Sequence, residues 1–171
     1  MPDDFFIRSA NAEDSAAILR CLAAAFGPYR ARYTPSAWRD TVLDSETLAQ
    51  RLSSMHVLVA VSPQEGIVGT LALSVSGSEG HLRGMAVLPP WQGRGVSSAL
   101  LLAAEAELKS QKCLRITLDT TEPLERAVRF YEKHGYRRSG KVTDFFGMRL
   151  HEFVKELPTA PEQWAHQPAR G

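Results

Sequence analysis

The sequence predicts one mixed α/β domain, and three observations carry that reading. The chain has 171 residues, 44% hydrophobic and 23% charged, which suits a single globular unit with one core. Short apolar runs of strand length alternate with segments of helical period. Their order is strand, helices, a three-strand meander, helix, strand, helix and two closing strands, without internal repeats or low-complexity tracts.

Phe5-Phe6-Ile7-Arg8 is the opening strand. Asn11 with Asp14 three residues on is an N-cap signal ahead of the apolar run Ile18, Leu19, Leu22, Ala23 and Phe26. Gly27-Pro28 stops that helix. Thr34-Pro35 starts a second, with proline at the first helical position, and Asp44-Ser45-Glu46 opens a third. Residues 57–61 and 67–75 read as a hairpin joined by 62–66, and residues 82–88, after a turn at 77–80, complete the meander. Beyond a glycine bend, Leu100, Leu101, Ala104 and Leu108 mark the buried face of a helix. Residues 114–118 form a strand, and Pro123 opens a helix that closes at Gly135. Residues 136–139 and 148–156 are the final strands. The domain is expected over 1–157; from 158 to 171 prolines recur without apolar periodicity, which predicts a loose tail.

Composition excludes several functions. A net charge of +1 with interspersed signs gives no basic face for nucleic acid. Cys21 and Cys113 stand far apart and the five histidines lack ligand spacing, so neither a disulfide framework nor a metal site is expected. No leader is evident at the N-terminus, and no apolar run nears the ~18 residues that span a bilayer; a cytoplasmic setting away from membranes is expected.

The most informative stretch is residues 81–102, a short strand, a bend with glycines at 93 and 95, and an apolar helix. Free N–H groups and the positive end of a helix dipole meet there, which suits phosphate. The bend lacks the Lys-Ser/Thr pair of a P-loop. A dinucleotide site stays open, with Ser98 at the third small position and Asp119 about twenty residues on, although two helical segments and a hairpin come first.

Gln92-Gly93-Arg94-Gly95-Val96-Ser97, following Met85-Ala86-Val87 and Pro90, resembles the acetyl-CoA motif of the GNAT N-acetyltransferase superfamily. Ala127-Val128-Arg129-Phe130-Tyr131-Glu132-Lys133-His134-Gly135-Tyr136 resembles that family's second block, at matching spacing. The resemblance implies an acyl-CoA N-acyltransferase fold: a central mixed, mostly antiparallel twisted sheet flanked by helices. It also implies acetyl transfer from acetyl-CoA, without a metal, to a primary amine: a small molecule, a protein N-terminus or a lysine. Two positions depart from the family pattern. Ser97 replaces the usual glycine or alanine, and Leu124 stands where many relatives carry asparagine.

By that resemblance, backbone N–H groups of Gln92, Gly93, Arg94, Gly95, Val96 and Ser97 bind the CoA pyrophosphate, with the Arg94 side chain adding charge. Met85, Ala86 and Val87 pair with the pantetheine arm, and one N–H there steadies the carbonyl oxygen. Tyr131 touches the sulfur and is the general acid. For the base, Asp119 matches the place of a glutamate in ribosomal-protein N-terminal acetylases of the superfamily; Glu79 ranks level with it and His81 behind. Phe26, Tyr29, Tyr33 and Trp38 are candidates for the acceptor pocket, with Arg30 or Arg32 meeting a carboxylate. Cys113 has no partner that lowers its pKa, so direct transfer without an acyl-enzyme is expected. A non-catalytic acyl-CoA-binding module is the alternative, and a homodimer built on the last strand and the tail is a further possibility.

Overall fold

The computed structural model describes residues 4–122 and 124–158; the proposed tail beyond Pro158 and the helix start at Pro123 lie outside them. Among the described residues seven strands, numbered in chain order, form one sheet, with order β1-β2-β3-β4-β5-β7-β6. Strands β1 (Phe6–Ser9), β2 (His56–Ser62), β3 (Gly66–Ser76) and β4 (Glu79–Val87) form an antiparallel run. β4 pairs in parallel with β5 (Arg115–Thr121), and β5 pairs antiparallel with β7 (Met148–Glu156), which carries β6 (Arg137–Phe145) on its outer edge. A doubly wound dinucleotide fold needs successive parallel strands. Here β4–β5 is the one parallel pair among the described residues, which removes the dinucleotide alternative.

The N-terminal helices form where the caps predict. Asn11 and Asp14 cap each other at a 3₁₀ turn, and α1 (Ser15–Phe26) follows. Thr34 caps α2 (Pro35–Thr41), and an Asp44–Thr47 box caps α3 (Ser45–Ser54). Gly27-Pro28 ends α1 at Phe26, as expected, although the chain goes on in a helical sense. Gly27 stays right-handed at φ −48°, and the chain tightens into a 3₁₀ turn, Gly27–Arg32, because proline at its second position suits a helical start. After the glycine bend come α4 (Val96–Ser110) and, beyond β5, α5 (Glu125–Lys133).

The sheet has a core on each face. α4 and α5 cover one, with Leu82, Val87, Leu118 and Tyr131 in it; α1 and α3 cover the other, with Val57, Val59 and Ala86. The two closing strands differ from expectation. β6 is far longer than residues 136–139, and β7 is interior to the sheet, so the last strand has no free edge for a dimer; β6 has. No helix among the described residues is long and apolar enough to cross a membrane.

Candidate active site

The site is made by two strands that part. β4 and β5 pair only from Glu79 to Leu82 and from Arg115 to Leu118. Beyond that, β4 continues to Val87 without a partner on this edge, while β5 continues to Thr121 bonded only to β7. A bulge in β4 helps them separate. Ala72 pairs with Arg83 and Thr70 with Ala86, so one extra residue stands at Gly84-Met85. Its effect on facing is visible: Leu82 and Val87, five residues apart, point into the same core. Gly84, at φ +70°, takes a left-handed conformation that favours glycine.

The opening is a cleft of about 550 Å³. Met85, Val87, Gln92, Gly93, Gly95, Val96 and Ser97 line it, as do Tyr131, Asp119, Phe26 and Tyr29. The structure thus brings together most residues singled out in the sequence. Gly93 (φ +79°) and Gly95 (φ +86°) turn the chain into α4. The first bond of that helix runs from Ala99 N–H to the Gly95 carbonyl, and no side chain caps it. The N–H groups of Gly93, Gly95, Val96, Ser97 and Ser98 therefore lack acceptors among the described residues, at the positive end of a helix of 15 residues. An anion is what such a cradle accepts. Gln92 braces it: its amide Nε2 donates to the Val87 carbonyl at 3.1 Å, and its Oε1 lies 3.5 Å from Arg126.

Tyr131 reaches the cleft from α5. Its ring is 6% exposed, packed edge-on against Phe130 and Tyr136, and its hydroxyl has no hydrogen-bond partner among the described residues. Burial pushes the phenol above its usual pKa, so it remains a proton donor across the physiological range. Asp119 projects on the opposite face of the sheet. Burial raises its pKa above the ordinary carboxylate range, against the pull of His81, whose Nε2 is 3.7 Å away. His81 Nδ1 is in turn 2.9 Å from Thr117 Oγ1. A carboxylate shifted upward is better matched to taking protons near neutrality.

Other residues fall elsewhere. Ala86 turns into the second core, where its carbonyl accepts from the Cys21 thiol at 3.6 Å. The Arg94 guanidinium stacks 4.4 Å over Trp91 and donates to the Pro90 carbonyl, beside the cradle rather than in it. Glu79 shares the face of Asp119 and lines, with His81, Thr117 and Asp119, a depression outside the cleft, where it lies 3.4 Å from Arg115. Tyr33 donates or accepts at 2.8 Å with Thr121 and lines a second pocket; Trp38 packs edge-on against Tyr33 under Arg30.

That second pocket, of about 260 Å³, opens on the Asp119 side and shares Phe26, Leu82, Arg83, Gly84, Asp119 and Leu124 with the cleft. Sequence reasoning missed Arg51 in it and Thr120, Arg126 and Lys133 in the cleft. Thr120 is notable because its buried hydroxyl has no partner among the described residues. Arg51 had a signal: it is the charged member of the stripe Leu48, Arg51, Leu52, Met55 on α3.

Comparison with known proteins agrees with this geometry. The family model described as the acetyltransferase (GNAT) family matches residues 20–136, more than half of the chain. Among solved structures, the PaiA N-acetyltransferase from Thermoplasma acidophilum in complex with coenzyme A superposes with a TM-score of 0.76, at 19% identity over 90% of this chain and 99% of that one. A GCN5-related N-acetyltransferase from Rhodopseudomonas palustris gives 0.73 at 25% identity, covering 89% and 95%. The ribosomal-protein-S18-alanine N-acetyltransferase from Escherichia coli gives 0.75 at 16% identity, covering 93% and 97%.

Proposed function

The chain belongs to the GNAT acetyltransferase family and is an N-acetyltransferase; from that premise we propose that acetyl passes directly from acetyl-CoA to a primary amine held in the same complex. The observation that carries this is the wedge between β4 and β5, with Tyr131 at one face of the sheet and Asp119 at the other. Acetyl-CoA, when bound, supplies the acetyl group as an activated thioester, and one of the solved relatives holds coenzyme A. The cradle residues fit its pyrophosphate, since their unpaired N–H groups ask for an anion. Arg126 and Lys133, both lining the cleft, add positive charge for the phosphates. The unpaired edge of β4 at Met85 and Val87 suits an extended amide-bearing arm, as a sheet edge takes a peptide.

On the far side, Asp119 removes the proton that an ammonium carries at neutral pH, with His81 and Thr117 behind it. A backbone N–H of the bulged strand polarises the carbonyl under attack. Tyr131 donates its proton to the departing sulfur. Burial keeps the phenol protonated, so its proton is on hand when the thiolate leaves. The cysteines support the absence of an acyl-enzyme. Cys21 is fully buried with its thiol pushed up to about 12, and burial likewise raises Cys113. Neither offers a thiolate. We read residues 1–157 as one catalytic domain on the support of the unbroken sheet from β1 to β7.

Initial-rate kinetics with varied acetyl-CoA and amine test the mechanism. Intersecting double-reciprocal lines and no acetylated protein after mixing with acetyl-CoA alone are expected. Parallel lines with a trapped acetyl-protein overturn it. Tyr131→Phe should lower kcat ~100-fold with acetyl-CoA affinity unchanged; full activity across pH removes Tyr131 as the acid.

A further inference from the structure

Arg51 lies on α3 beside Leu48, Leu52 and Met55, which pack into the second core. Its guanidinium passes close against the bulge of β4. A Cβ built on Gly84 would stand 2.6 Å from Arg51 Nη1, so a side chain at 84 would push the guanidinium aside. The bulge therefore does more than part the strands: its glycine lets the guanidinium into the second pocket, beside Asp40, Arg83 and Asp119.

The carboxylates of that pocket are already engaged. Asp40 pairs with Arg83, and Asp119 faces His81. Among the described residues the Arg51 guanidinium makes neither a hydrogen bond nor an ion pair, while its backbone carbonyl accepts from Met55 N–H. Burial first, and then repulsion from Arg83, bring its pKa down to about 10, against the opposing pull of Asp40. It is still a cation at neutral pH. A half-buried guanidinium keeps five donors in a planar fork, and a carboxylate matches that fork with two parallel bonds. Asp40, already paired with Arg83, compensates that charge only in part, so the pocket suits an anion from outside the chain.

We infer that the acceptor is a small primary amine carrying its own carboxylate, of the free amino-acid type, held by Arg51 beside Gly84 with its amine toward Asp119. This rests on reading the wedge as the transfer site. About 260 Å³ admits a molecule of that size. The other amine acceptors considered differ in one respect that matters here. A protein N-terminus is an α-amino amide: it presents a neutral carbonyl where the free acid presents a charge, and leaves Arg51 unpaired. Arg30 does not line this pocket; its guanidinium lies 5.2 Å over the Trp38 ring.

The test is a ligand titration of the whole protein, with and without CoA, followed by calorimetry or thermal shift. Its probes are the L-amino acids, each paired with its own carboxamide. At least one acid should bind ~10- to 100-fold more tightly than its amide, the range of one charge-assisted hydrogen-bonded pair. Arg51→Gln should erase that preference while CoA affinity stays the same, and Arg51→Lys should restore part of it. The inference is overturned if no acid binds to the wild-type protein, or if amides bind as well as acids; neither comparison needs a variant to fold. Acids bound through Arg51 with no acetyl product, by contrast, would leave the binding assignment standing and refute the transfer mechanism.

Discussion

Burial opposes the charge of Asp119, and that opposition links its catalytic use to the stability of the protein. A carboxylate whose folded-state pKa is raised binds its proton more tightly in the native than in the unfolded chain. Stability is therefore lost as pH climbs from the unfolded value of about 4 through the folded one, and the loss is complete above it. Asp119→Asn carries no such penalty. It should lower kcat/KM ~100-fold or more while raising the urea midpoint relative to wild type, with the gain larger at pH 8 than at pH 4. Urea titrations of both proteins at the two pH values check this; a variant less stable at pH 8 would show that the carboxylate is well paired rather than strained. At this scale the sequence showed the residues whose roles depend on near neighbours. Gly93, Gly95 and Ser97 define a bend by themselves, and Tyr131 stands at a fixed place within a helical block. Arg51 showed only as the charged member of an apolar stripe and Thr120 not at all, because what singles them out is a missing side-chain partner among the described residues. Partners absent in three dimensions leave no trace in local spacing.

The cradle depends on how closely α4 lies over the sheet. A Cβ on Gly69 in β3 would stand 2.8 Å from Val96 Cγ1, 3.1 Å from Leu100 Cδ1 and 3.3 Å from the Ala86 carbonyl oxygen. Val96 is the first residue of α4, so Gly69 sets the height of the helix end that presents its N–H groups. Gly69→Ala should cost ~1–3 kcal/mol of stability through overpacking and weaken acetyl-CoA binding by displacing that end. Denaturant midpoints and calorimetry on the same variant report both effects; unchanged stability and affinity would mean that α4 shifts freely. Most elements were readable from caps and periodicity: the Asn11 and Asp44 boxes, the Thr34 cap and the apolar face of α4 all stand where expected. β6 was not. Nearly all of Arg137–Phe145 is exposed, so the strand carries no apolar alternation to read, and only its pairing with β7 defines it. The parting of β4 from β5 was equally hidden. A bulge of one residue at Gly84-Met85 is a matter of register between strands, which the order of residues does not display.

For the whole molecule, the sheet acts as a partition that is open at one place. α4 and α5 close one face around Tyr131 and the cradle; α1 and α3 close the other around Arg51. The cleft and the second pocket meet through the wedge and share Asp119. In the proposed mechanism donor and acceptor enter from opposite faces and meet where the strands separate, so that neither must pass the other. The element order predicted this fold class because each strand and helix is a local object, whereas the opening depends on which two strands fail to pair. The most direct measurement is calorimetric titration of acetyl-CoA into the wild-type protein and into Ser97→Glu. A glutamate in the first turn of α4 favours the helix itself but sets a negative charge where phosphate should bind. Binding of one acetyl-CoA per chain to the wild type, weakened at least ~10-fold in a fully folded Ser97→Glu, is the predicted result. Equal affinity in the two proteins would contradict the account, because acetyl-CoA would then bind away from the cradle at the N-terminus of α4.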